Sequence, residues 1–169
     1  MSITLFAQPY DLAASGFYFT SAAEFSDKAA ALRNDCGQRV EEFEIQFIDG
    51  EAIDAALAEA WSLSQGTLVR FFALAEELDE QEKQRFIIAV GEVGYSFDPD
   101  TVGLEDFEID IYHLGSLKEL AEEFIAEGLF GEIPDHLANY IDMDAIARDL
   151  SFDYTETDIA GTRLIYRSS

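Results

Sequence analysis

Positive charge is what this sequence has least of. Ten Lys and Arg stand against 35 Asp and Glu in 169 residues, a net charge of −25. Such a field repels nucleic acid and anionic membrane and attracts basic partners. Direct nucleic-acid binding and membrane-surface binding are therefore not expected. Aromatic residues reach 13%, but base stacking also needs a positive groove, and the sequence offers none. Histidine is reduced to His113 and His136, without H-E-x-x-H spacing, and one cysteine cannot build a zinc ribbon. Cys36 cannot form an intrachain disulfide; it reads as a small packing residue near a helix end, and a reducing cytoplasm is the expected compartment. No apolar run approaches the roughly 20 residues that span a bilayer. The start "MSITLFAQPYD" lacks the basic and apolar regions of a secretory signal.

Catalytic patterns are missing as well. There is no G-x-S-x-G, no phosphate-binding loop and no G-x-G-x-x-G. "DPDTVGLEDFEI" resembles a calcium loop only at its start. Counted from Asp98, the fifth position is Val102 and the twelfth Ile109, where ligands are needed. Carboxylate pairs arise by chance among this many acids. The expectation is a protein with no catalytic residue, no metal and no cofactor.

What is present is a core and a pattern of acids. Hydrophobic residues make up 49%, enough for one compact domain or two to three small ones, and too many for a disordered chain. Between Arg85 and Arg148 stand fifteen acids and one base, Lys118. Adaptation to high salt would spread acid evenly. Concentration in one half favours a surface aimed at a basic partner. The acids expected on it are Asp98, Asp100, Glu105, Asp106, Glu108, Asp110, Glu119, Glu122, Glu123, Glu127, Glu132 and Asp135.

The expected class is α+β, in three consecutive small subdomains: 1–60 mixed, 61–103 helical and 104–169 mixed again. "ITLFA" and "GFYFT" read as strands. "SAAEFSDKAAALRNDCG" reads as a helix capped by Ser21 and ended by Gly37. "EEFEIQFIDG" alternates, with Phe43, Ile45 and Phe47 on one side. Leu68, Phe71, Phe72, Ala75 and Leu78 recur at helical spacing. Asp79 and Glu82 have capping-box spacing, and Gly91 and Gly94 loosen the end of the following helix. "FEIDIY" alternates like the earlier strand, placing Phe107, Ile109 and Ile111 inward and Glu108, Asp110 and Tyr112 outward. "SLKELAEEFIAEG" is a helix with Ser116–Glu119 as capping box and Gly128 past its end. Leu117, Leu120, Ala121 and Phe124 form its buried stripe, and its glutamates fall outward. The tail reads as two strands around Ala160–Gly161.

The stretch "GEIPDHLANYIDMDAIARDL" is the most patterned in the chain. Pro134 suits the first position of a short helix ending near Ile141. Asp142 suits the N-cap of a second helix, with Ile141 and Ile146 at staple spacing. Asp144 and Arg148 stand four apart, as an ion pair would. Gly131, Glu132, Ile133, Pro134, Leu137, Tyr140, Ile141, Asp142, Ala145, Ala147, Arg148, Asp149 and Leu150 resemble the signature of the ArdA-type antirestriction proteins. That family consists of small acidic proteins carried mainly by mobile DNA. The resemblance implies an elongated line of small domains and a homodimer. It implies mimicry of B-form DNA in the binding site of type I restriction–modification enzymes. It also implies subunit contact and antirestriction activity for the motif residues Pro134, Leu137, Tyr140, Ile141, Asp142, Ala145, Ala147, Arg148, Asp149 and Leu150. Two other readings fit the charge: an acidic adaptor or inhibitor of another basic DNA-binding protein, and a salt-adapted enzyme.

Overall fold

A computed structural model describes residues 2–169. The architecture is α+β, with helices and two three-stranded antiparallel sheets. The chain divides after Asp98 into two compact units.

The first unit opens with β1 (Thr4–Pro9), β2 (Phe17–Phe19), α1 (Ala22–Ala31) and β3 (Phe43–Asp49), and its sheet runs β2-β1-β3. The register aligns Leu5 with Phe19 and Phe47, and Ala7 with Phe17 and Ile45. One face of the sheet is therefore apolar, as the alternation in β3 predicts. Phe25 of α1 meets Phe17, Phe19 and Phe43 on that face at ring separations of 5.1–5.9 Å. A side chain at Gly16 would run into the Phe6 ring and the Ala7 carbonyl oxygen, so the approach to β2 requires glycine there. Gln65 accepts from the Phe43 N–H at 2.7 Å and donates to the Glu41 carbonyl at 3.1 Å, tying the start of the β3 edge.

Ser21 caps α1, accepting from the Glu24 N–H at 3.1 Å. The Glu24 carboxylate binds Lys28 at 2.7 Å and the Thr20 N–H at 2.8 Å, and these partners hold its carboxyl down at about 2. The helix stops at Leu32, well before Gly37. Arg33 donates back to the carbonyls of Ala30 and Leu32, and Asn34 Oδ1 accepts from the N–H groups of Cys36 and Gln38. This Asx-type turn competes with helix and wins. Gly37, at φ +77°, belongs to that turn. Cys36 is exposed on it, not packed at a helix end.

α2 (Ala52–Ala60), α3 (Leu68–Glu77), α4 (Glu80–Phe86) and a π-helix (Ile87–Val93) complete the unit. α2 packs on α4 and on the π-helix. Asp79 and Glu82 form the reciprocal capping box, at 2.8 and 2.9 Å. Gly91 does not loosen a helix end. It lies inside the π-helix, where a Cβ would come within 2.8 Å of Ala60 Cβ. Gly94, at φ +85°, provides the left-handed stop. Asp54 of α2 and Lys83 of α4 form an ion pair at 2.7 Å, with only 4% and 7% of each residue exposed.

The second unit contains a short 3-10 turn (Leu104–Asp106), β4 (Ile109–Tyr112), α5 (Leu117–Ala126), a 3-10 helix (Asp135–Tyr140), α6 (Met143–Leu150), β5 (Thr155–Ile159) and β6 (Thr162–Ser168). The sheet runs β4-β6-β5. Ala160 and Gly161, at φ +54° and +87°, make the hairpin turn, and Asp158 accepts from the Gly161 N–H at 2.8 Å. β4 is shorter than its alternation predicts: Phe107 and Glu108 precede the strand. Tyr112 is also not outward. It pairs with Ile165 across the ladder and packs on the cluster of Leu120, Phe124 and Ile165. α5 thus covers the Tyr112 end of the face predicted to meet solvent, while Glu108 and Asp110 are exposed and Phe107 and Ile109 buried as predicted. Burial pushes the Tyr112 hydroxyl pKa up, with Tyr154 and Asp110 adding to it. Asp110 stays exposed further along that face, opposite Arg167.

Candidate functional site

The candidate site is the exposed surface of the second unit, built around α5 and the segment after it. Ser116 caps α5 by accepting from the Glu119 N–H at 3.2 Å. The reciprocal half of the box is displaced by one residue, because Glu119 Oε2 accepts from the Gly115 N–H at 2.8 Å. Glu156 of β5 adds a third acceptor, taking the Leu117 N–H at 2.7 Å. At the other end Gly128, at φ +79°, closes a Schellman motif. Its N–H bonds to the Ile125 carbonyl, and that of Leu129 to the Phe124 carbonyl. Both ends are thereby satisfied, and Leu120, Ala121 and Phe124 are buried as the apolar stripe predicts.

A helix fixed in this way holds Glu119, Glu122, Glu123 and Glu127 toward solvent. Glu132 and Asp135 are exposed just beyond it. Among the described residues, the side chains of Glu122, Glu123, Glu127, Glu132 and Asp135 take no hydrogen bond or ion pair. Asp106 is partly committed, accepting from the Gly103 N–H at 2.7 Å, and the Glu105 carboxylate lies over Gly103. Glu105, Glu108 and Asp110 are exposed, as is Asp100. Asp98 is exposed too but ends the first unit, whereas the others lie in the second.

The only base of this interval does not oppose the α5 glutamates. Lys118 reaches Asp144 of α6 at 3.2 Å. Asp144 turns to that lysine and not to Arg148 four residues on, so the expected pair within α6 is replaced by one between helices. Asp142 caps α6, accepting from the Ala145 N–H at 3.0 Å. The preceding helix is 3-10, and Pro134 is its N-cap, one position earlier than predicted. Motif residues separate into two sets. Ile141, Ala145, Ala147 and Leu150 are half-buried, and Leu150 packs on the Leu120–Phe124–Ile165 cluster. Pro134, Leu137, Tyr140, Asp142, Arg148 and Asp149 face outward, with Tyr140 83% exposed.

A further run of acids lay outside the candidate set. Glu76, Glu77, Asp79, Glu80 and Glu82 are exposed around the α3–α4 corner, while Lys83 beside them is buried. The signal was legible as "EELDEQE". Among the described residues no group of three or more His, Cys, Asp and Glu is placed to hold a metal ion. No helix among them is long and apolar enough to cross a membrane.

The profile of the family described as "Antirestriction protein (ArdA)" matches residues 15–161. The chain belongs to the ArdA antirestriction family. No curated protein matches it. The ArdA match runs from just before β2 to the β5–β6 turn, so it takes in most of each unit, without β1 or β6, and the whole of "GEIPDHLANYIDMDAIARDL". ArdA proteins are inhibitors of restriction. The surface just described is thus the acidic exterior of an inhibitor, built on capped helices and lacking a metal cluster among its described residues.

Proposed function

We propose that this protein is a non-enzymatic cytoplasmic inhibitor that occupies the DNA-binding groove of type I restriction–modification enzymes. Its carboxylates stand where the enzyme expects phosphates. The observation that carries this reading is α5, whose three glutamates and C-cap Glu127 face outward with the nearby lysine engaged elsewhere. From Glu119 to Glu127 the helix rises about 12 Å. That is a charge every 3–4 Å or so, close to the roughly 3.4 Å per phosphate along one DNA strand. The net charge of −25 matches about 40 Å of duplex, on the order of 12 base pairs. Asp100, Glu105, Asp106, Glu108, Asp110, Glu132 and Asp135 extend the phosphate-like surface of the second unit in this reading, and Asp98 adds a carboxylate on the first. The test is plasmid transfer into a restricting host, with and without the protein. Protection is expected against a type I system. No protection there, with capture of other basic DNA-binding proteins instead, would favour an acidic adaptor.

The reading includes a homodimer held by the motif region. Leu137 and Tyr140 are 45% and 83% exposed, and Leu129 and Phe130 nearby are 63% and 55% exposed. Large apolar side chains grouped this way mark an interaction surface. Tyr140→Asp is expected to weaken self-association by at least about tenfold, the effect of losing a contact of roughly 1.4 kcal/mol. Sedimentation at micromolar concentration reads it. A wild-type protein that sediments only as monomer would remove the dimer.

A further inference from the structure

Beside the acidic face lies a feature that phosphate mimicry alone does not need. The last turn of α5, the loop after it and the start of α6 enclose a cleft of about 500 Å³. Ile125, Ile133, Ile141 and Met143 are its apolar lining, and Glu127 and Glu132 are the acidic residues among the rest. Both glutamates are exposed, and neither has a hydrogen-bond or ion-pair partner for its side chain among the described residues. The negative end of the helix dipole lies at the same place, since Ala126 and Glu127 also line the cleft. A duplex presents phosphates and grooves. It has no counterpart to an apolar cleft that two glutamates help to line.

We propose that this cleft receives an arginine side chain from the partner's DNA-binding surface. The chemistry of the lining selects it. An arginine lays its aliphatic stem on apolar surface and keeps its charged head at the rim. The guanidinium is weakly hydrated and carries five donors in a plane, suited to two carboxylates at once. An acidic or purely apolar occupant would leave Glu127 and Glu132 facing like charge or no charge at all. The inference rests on the proposed function for the identity of the partner. It adds to mimicry a contact that salt screens less, because part of it is apolar.

The cleft is tested without the partner. n-Butylguanidinium is titrated into the full-length protein while the methyl NMR signals of Ile125, Ile133, Ile141 and Met143 are followed. Saturable shifts confined to these methyls are expected. Glu127→Gln with Glu132→Gln should weaken binding about 2- to 30-fold, the effect of losing two exposed charge pairs. Glu122→Gln with Glu123→Gln removes equal charge outside the cleft and should leave the binding unchanged. Ile133→Ser should weaken binding with no change in charge. Absence of saturable shifts would overturn the proposal. So would equal weakening by the two glutamine pairs, which means a diffuse ionic atmosphere. Dissociation of the dimer by the probe at fixed protein concentration would put a second copy in the cleft, and n-butylammonium binding more tightly would remove arginine. If guanidinium binds as expected but the protein and DNA do not compete for the enzyme, the proposed function fails and the cleft does not.

Discussion

Replacing Glu119, Glu122, Glu123 and Glu127 together by Gln is expected to cost about 0.8–4 kcal/mol of affinity for the restriction enzyme, roughly 4- to 900-fold. Each exposed charge pair contributes about 0.2–1 kcal/mol, so no single replacement should exceed about fivefold. The substitution is conservative for the fold. All four side chains face solvent, and a glutamine at position 119 keeps an oxygen for the Gly115 N–H, the one hydrogen bond made by these carboxylates. Competition titration against labelled DNA measures the loss, with circular dichroism as the check on folding. Were one glutamine to abolish inhibition in a folded protein, the interaction would be a specific site and not a distributed charge surface.

The largest expected effect on stability lies in the other unit. Asp54→Ala should destabilise it by about 3–5 kcal/mol, because Lys83 would keep a buried ammonium without its partner. Asp54→Leu combined with Lys83→Met should recover most of that loss, since apolar side chains of similar size often replace a buried pair at little cost. Urea denaturation of the two variants and the parent decides. A single variant within about 1 kcal/mol of the parent would mean that water reaches Lys83. The pair also bears on the surface. By holding Lys83 inside, Asp54 leaves the carboxylates of the α3–α4 corner without that base among them.

Local signals predicted what local chemistry decides. Ser116, Asp79, Asp142 and Gly128 cap the helices they were expected to cap, and the Ala160–Gly161 turn joins the two terminal strands. Some departures from the sequence reading are local, as where the Asn34 turn ends α1 before Gly37; others arise where a distant residue makes the choice. Tyr112 turns under α5 because the ladder sets it beside Ile165. Asp144 prefers Lys118, brought close by the packing of α5 on α6. The π-helix depends on Gly91 meeting Ala60, thirty-one residues earlier in the chain. α2 was not anticipated, although "AIDAALAEA" is rich in helix formers; its apolar side faces α4 and the π-helix. For the candidate site, the abundance of acid and the family signature were legible. The division of the motif into packed and exposed residues was not, because it follows from how α6 sits on α5.

The central claim is that this protein and duplex DNA are mutually exclusive ligands of one basic groove. The direct measurement is a titration of a type I restriction–modification enzyme, holding labelled DNA, with this protein. Displacement should be competitive and reversed by excess DNA. It should weaken as salt rises, because charges in a screening medium dominate the contact. Its salt slope need not equal that of DNA, whose denser charge condenses more counterions. A stable ternary complex, with DNA still in the groove while restriction is blocked, would contradict the account.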